Sequence, residues 1–178
     1  MAATFEGSKT TVFAYGQTGS GKTHTMMGNP SQDISGMYLL AAKDIFHLLE
    51  QEEFQWIELF VSFYEIYWSK LFDLLNKRKF LHCRADAKER VQIQGLKESR
   101  ATTIEDLMKI ISFGLSARTT GVTGANVDSS RSHAVLQITF KIFEGYKEYP
   151  KEEKKYKVHS KMSFIDLAGS ERGADTIE

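Results

Sequence analysis

Residues Gly16 to Thr23 read Gly-Gln-Thr-Gly-Ser-Gly-Lys-Thr, a spacing of glycines, one lysine and one hydroxyl suited to holding a polyphosphate. Gly16, Gly19 and Gly21 let the backbone wrap closely, so that the N–H groups from Gln17 through Ser20 and the start of the next helix face phosphate oxygens. In such a loop Lys22 neutralises the outer phosphates and the Thr23 hydroxyl ligates Mg²⁺. At average residue usage the pattern arises by chance about once in 200 chains of this length, so it outweighs its competitor, a glycine-rich turn with a solvated lysine. Two further stretches carry matching chemistry. Asn126-Val-Asp-Ser-Ser-Arg-Ser-His133 is dense in hydroxyls, the mobile donors that phosphoryl transfer needs around metal and γ-phosphate. Asp166-Leu-Ala-Gly-Ser-Glu171 offers a carboxylate for a Mg²⁺ shell and, at Gly169, an N–H that can sense a γ-phosphate. Each of these two is weak alone.

The elements around them must place these stretches together. An apolar run from Thr10 to Tyr15 predicts a strand entering the loop, and Lys22 to Met27 suits a helix leaving it. Alternation predicts strands over Trp56 to Tyr67 (Ile57, Leu59, Val61 and Phe63 on one face) and His133 to Phe143 (Ala134, Leu136, Ile138, Phe140 and Ile142). Lys161 to Asp166 is a short strand ending in the carboxylate, and Val91 to Ile93 another. Tyr38, Ala41, Ile45 and Leu48 at helical spacing predict an amphipathic helix over Met37 to Glu50. Thr102 and Glu105 form a candidate capping box for a second helix with the stripe Ile104, Leu107, Met108, Ile111 and Leu115, ending near Gly121. The lysine- and glutamate-rich stretch Glu144 to Ser160 reads as a long exposed hairpin loop, and basic Lys77 to Arg90 reads equally well as a contact for an acidic partner or as a solvated surface. Phe60, Phe63, Tyr64 and Tyr67 belong to the core and sheet face rather than to a stacking platform. The mixture is an α/β domain.

With 178 residues, 42% of them apolar and 26% charged, the chain can bury a core as one domain. Twenty-three basic residues balance twenty-three acidic ones, so no global field draws it to nucleic acid or to an anionic membrane. The single cysteine, Cys83, cannot form an intrachain disulfide; it is expected to be packed and fits a reducing compartment such as the cytoplasm. No apolar run reaches the roughly 18 to 20 residues that span a bilayer, and the first fifteen residues lack a basic segment followed by an apolar signal core.

Taken in order, the three stretches resemble one family. Phe13-Ala-Tyr-Gly-Gln-Thr18 running into Gly21-Lys-Thr-His-Thr25, Asn126 with Ser129-Ser-Arg-Ser-His133, and Asp166-Leu-Ala-Gly-Ser-Glu171 are similar to the kinesin motor domain across the whole chain. Phe63-Tyr-Glu-Ile-Tyr67, Lys70-Leu-Phe-Asp-Leu-Leu-Asn76 and Arg172-Gly-Ala-Asp-Thr176 look most like the kinesin-13 internal-motor, microtubule-depolymerising branch. The resemblance implies a P-loop NTPase with a mixed sheet, ATP and Mg²⁺ as cofactors, microtubule-stimulated hydrolysis and a place on cytoplasmic microtubules. It makes Gly16 to Thr23 the phosphate cradle, with Lys22 on the β- and γ-phosphates and Thr23 on Mg²⁺, and sets His24 beside the adenine. His24 reads equally well as a plain surface helix residue. Ser129 and Ser130 fall in the first switch, Ser130 as a Mg²⁺ and γ-phosphate ligand, while Asp166 and Gly169 fall in the second. Arg131 is expected to pair with Glu171, which then takes the proton of the attacking water through a second water. An ordinary exposed ion pair is the competing reading of those two charges. His133 is expected to be a hydrogen-bonded histidine at a strand start rather than a ligand.

A complete kinesin motor is nearly twice this length, so the resemblance implies a domain truncated at both ends, running from the phosphate loop through the second switch. The family's N-terminal adenine-contacting strand and its main microtubule-binding helix would lie outside it. The phosphate-loop strand is then expected at one border of the sheet, with one sheet face uncovered, poor solubility and marginal stability. Two other functions compete with a motor. One is a module that binds nucleotide without turnover and contacts tubulin or a scaffold; the other is a GTPase, disfavoured because no NKxD or TKxD segment appears.

Overall fold

The computed structural model describes residues 1–85, 87, 89, 91–120, 131–143 and 156–171. In chain order the elements are α1 (Ala2–Phe5), β1 (Lys9–Ala14), α2 (Lys22–Met27), β2 (Gly28–Asn29), β3 (Ile34–Ser35), α3 (Met37–Leu49) and β4 (Ile57–Tyr67). There follow β5 (Lys70–Asp73), β6 (Lys79–Ala85), β7 (Val91–Gln94), β8 (Ser99–Ala101), α4 (Ile104–Thr120), β9 (Ser132–Phe143) and β10 (Tyr156–Asp166). Among the described residues the main sheet runs β1-β10-β9-β4-β5-β6-β7, with β8 on β4, while β2 and β3 pair separately. Among the described residues only β1 and β10 pair in parallel, and the phosphate-loop strand stands at the sheet border as expected.

The long strands follow the period-two alternation read from the sequence. Leu59, Val61 and Phe63 of β4 face the same side as Leu136, Ile138 and Phe140 of β9, directly opposite them in the ladder, and all are buried. Met162 and Phe164 extend this face onto β10. The helices cover it: Phe5 of α1 meets Phe140 edge-on, Tyr38 of α3 meets Phe164, and Gly114 of α4 seats directly on the Phe63 ring. Leu107 and Ile111 complete the α4 contact. Tyr38 is pushed well above the usual tyrosine range, first by burial and then by the nearby Asp166 carboxylate.

Three expectations need correction. The capping box of α4 sits one residue later than Thr102 and Glu105: the Asp106 N–H donates to Thr103 Oγ1 (3.1 Å), while Thr102 donates N–H and hydroxyl to the Asp106 carboxylate at 3.2 and 2.6 Å. Asp106 does the work because its shorter side chain reaches back from the third helical position. Tyr156 to Ser160 are strand rather than loop, since the Tyr156 ring packs on Phe60 and Phe143 and its hydroxyl donates to Glu58; 144–155 lie outside the described residues. Lys79 to Ala85 form a strand the sequence did not show, β6, paired to β5 and β7, and all but Leu81 are exposed, as a solvated basic surface requires. Cys83 is exposed, because in β6 only Leu81 reaches the core.

Candidate nucleotide-binding site

Parallel pairing of β1 with β10 sets Ala14 opposite Asp166, so the chain leaves β1 into the phosphate loop beside the carboxylate that ends β10. The loop turns through Gly19 (φ 78°) and Gly21 (φ 89°), left-handed conformations that glycine adopts without a Cβ penalty, and Gly21 caps α2. The Lys22 ammonium folds back into the loop and donates to the carbonyls of Gly16 and Gln17, both at 2.8 Å. Thr23 donates its hydroxyl to Asp166 Oδ2 at 2.8 Å. His24 is exposed on the first turn of α2.

The aspartate-glycine stretch lies against this loop. Ser170 N–H donates to the Gly16 carbonyl at 3.0 Å, and Thr18 donates its N–H to Glu171 Oε2 at 3.0 Å and its hydroxyl to Oε1. Gly169 sits beneath these groups: a Cβ there would make the Glu171 carboxylate and the Thr18 hydroxyl shift. Ser129 and Ser130 lie outside the described residues. The residues that follow them are anchored. Arg131 is exposed, Ser132 is buried, and His133 Nδ1 accepts the Ala168 N–H at 3.0 Å, as expected of a hydrogen-bonded histidine. Its pKa is lowered, chiefly by burial and then by the nearby Arg118 charge, with Asp166 opposing; the accepting Nδ1 suits the neutral ring.

The sequence reading missed a buried set of charges behind Asp166. Arg118, near the end of α4, donates to Asp166 Oδ2 at 2.8 Å and to the Ser132 carbonyl and hydroxyl at 3.1 and 3.3 Å. Its Nε stands 3.9 Å from Glu65, which takes a closer ion pair from Arg78 at 2.9 Å. Leu107, Ile111, Gly114 and Arg118 share one face of α4, and Glu65 continues the buried alternation of β4 just as Asp166 does in β10. Two carboxylates and a guanidinium at core positions were the available signal.

Among the described residues, buried Asp166 Oδ1 has no hydrogen-bond partner, although Oδ2 takes two. A buried carboxylate oxygen left open beside a threonine hydroxyl suits a hard cation that prefers oxygen ligands, and the glycine turns leave room for a polyphosphate above it. The residues present therefore fit Mg²⁺ and a nucleoside triphosphate.

The family described as kinesin motor domain matches residues 1–178. Kinesin-like protein KIF24 from Homo sapiens is 49% identical over 176 residues, covering 96% of this chain; the chain spans 12% of that protein's length.

Proposed function

Because this chain belongs to the kinesin motor domain family, whose members are ATPases, we propose that it binds ATP with Mg²⁺ and hydrolyses it in step with microtubule binding. The observation that carries the reading is the direct link from the phosphate loop to the end of β10, Thr23 hydroxyl to Asp166 carboxylate at 2.8 Å. Gly16 to Thr23 cradle the phosphates, Lys22 exchanging its two carbonyl partners for phosphate oxygens. Thr23, Ser130 and Asp166 would hold Mg²⁺, which when bound neutralises phosphate charge. Phosphoryl transfer needs positioning and charge neutralisation more than covalent help.

In the proposed cycle Glu171 pairs with Arg131, orienting the water and accepting its proton through a second water. Gly169 N–H reads the γ-phosphate, and Ser129 and Ser130 close over it. Hydrolysis removes the group that holds these loops, which is the mechanical signal. His24 flanks the adenine. The motifs favour the kinesin-13 branch, with movement on microtubules or their depolymerisation as the output and tubulin as the partner. No nucleic-acid or membrane role is proposed, in line with the balanced charge; among the described residues no helix is long and apolar enough to cross a membrane.

The test is ATP turnover by the full-length protein with and without microtubules, for wild type, Lys22→Ala and Glu171→Ala. Microtubule stimulation lost in both variants supports the assignment; unchanged turnover in both removes the site. Nucleotide binding without turnover in wild type favours a non-motor tubulin- or scaffold-binding module, and preference for GTP over ATP favours a GTPase.

A further inference from the structure

One row of residues crosses the sheet at the end that carries the site. Ala14 on β1 pairs with Asp166 on β10, then Ala134 on β9, Glu65 on β4 and Phe72 on β5. The methyl of Ala134 separates the two carboxylates, and Arg118 contacts both of them across it. The contacts are unequal. Arg118 gives its hydrogen bonds to Asp166 and Ser132, whereas its buried Nε, 3.9 Å from Glu65, is too far for one. Glu65 is instead engaged by Arg78, whose Nε and terminal nitrogen lie 3.0 and 2.9 Å from Oε2 and whose guanidinium stacks over the Phe72 ring at 4.5 Å. Arg78 stands just before β6 in a left-handed conformation (φ 55°), following Lys77 at φ 51°. Such backbone is unfavourable for both residue types and persists only where surrounding contacts hold it.

We propose that Arg78 is a positioning residue for the metal shell: by occupying Glu65 it keeps Arg118 on Asp166, which holds Asp166 Oδ1 open toward the cation. The inference rests on the reading that Asp166 and Thr23 hold Mg²⁺. Without Arg78, the buried Glu65 charge loses its close partner and draws Arg118 across Ala134, shortening the 3.9 Å contact and loosening the one at 2.8 Å. The turn between β5 and β6 thereby becomes coupled to the metal site through alternating charges, Arg78, Glu65, Arg118 and Asp166.

The experiment measures release of N-methylanthraniloyl-ADP from the full-length protein as Mg²⁺ is titrated, with urea unfolding of the nucleotide- and metal-free protein alongside. Arg78→Ala is expected to raise the Mg²⁺ half-saturation about 10-fold, the low end for groups that steer a ligand without touching the metal. Arg78→Lys should raise it only about 3-fold, since it keeps the charge without the fork. In a Glu65→Gln background Arg78→Ala should add nothing further. A wild-type half-saturation in Arg78→Ala, with only the unfolding midpoint lowered, overturns the proposal, as does an effect that simply adds to that of Glu65→Gln. Should Arg78→Ala lack a cooperative melt, Arg78→Lys decides: a shift of about 3-fold supports the proposal and none overturns it. Thr23→Ala separates the two levels, since an unchanged half-saturation there refutes the metal-site reading itself.

Discussion

Replacing Arg118 by methionine keeps most of the side-chain volume of α4's last turn but removes the cation between two buried carboxylates. Arg118, Asp166 and Glu65 are each at least nine-tenths buried, so solvent screens them little. The substitution deletes a charge-assisted hydrogen bond to Asp166 at 2.8 Å and bonds to the Ser132 carbonyl and hydroxyl. A bond to a charged group is worth about 1.5 to 3 kcal/mol, and breaking a buried pair from one side costs about 3 to 5 kcal/mol because the other charge stays uncompensated. The expected loss is therefore about 3 to 5 kcal/mol, a large share of the roughly 5 to 15 kcal/mol that holds a domain folded. Equilibrium urea unfolding measures it, as a lower midpoint with an unchanged slope. Arg118→Lys, which keeps the charge but not the planar fork, should lose about 1 to 2 kcal/mol. Adding Asp166→Asn to Arg118→Met removes the stranded charge, Glu65 keeping its ion pair with Arg78, and should recover about 1 kcal/mol or more. Arg118→Met within about 1 kcal/mol of wild type would refute the reasoning, because it would mean these carboxylates do not depend on the guanidinium.

Two further outcomes are expected. Gly114→Ala should destabilise by about 1 kcal/mol despite better helix propensity, because the added Cβ overlaps the fully buried Phe63 ring; a gain in unfolding free energy would show that α4 can shift off the sheet. His133 has a folded pKa below its ordinary 6.5, mainly through burial, so its contribution is complete above about pH 6.5 and is lost as pH falls below it. The thermal midpoint should therefore drop between about pH 7 and pH 5.5 more in wild type than in His133→Asn, and equal drops would contradict the half-buried, neutral ring.

Much of this architecture was legible because burial imposes a period on the chain. The β4 and β9 stripes and the α3 face follow from apolar spacing alone, and the glycines of residues 16 to 21 announce the loop that they form. Partners distant in sequence were not legible. Arg118 and Asp166 are 48 residues apart, and their contact depends on how α4 packs on β4 and β8, which no local pattern encodes. Glu65 and Arg78 were hidden differently: one looked like the polar end of an apolar strand and the other like part of a solvated basic run. The capping box slipped by a residue because threonine occurs twice in succession, at 102 and 103, and only geometry shows which hydroxyl accepts. Strand β6 was missed because its side chains face solvent, leaving no alternation to read.

The central claim is that a single metal–triphosphate complex is held where the phosphate loop meets the end of β10. The direct measurement is Mn²⁺, substituted for Mg²⁺, binding with ATP to the full-length protein, followed by electron paramagnetic resonance. The account predicts one nucleotide-dependent Mn²⁺ site per chain, weakened by about 10-fold or more in Thr23→Ala and in Asp166→Asn and lost in Lys22→Ala. Nucleotide-dependent Mn²⁺ binding that is indifferent to all three substitutions would contradict it.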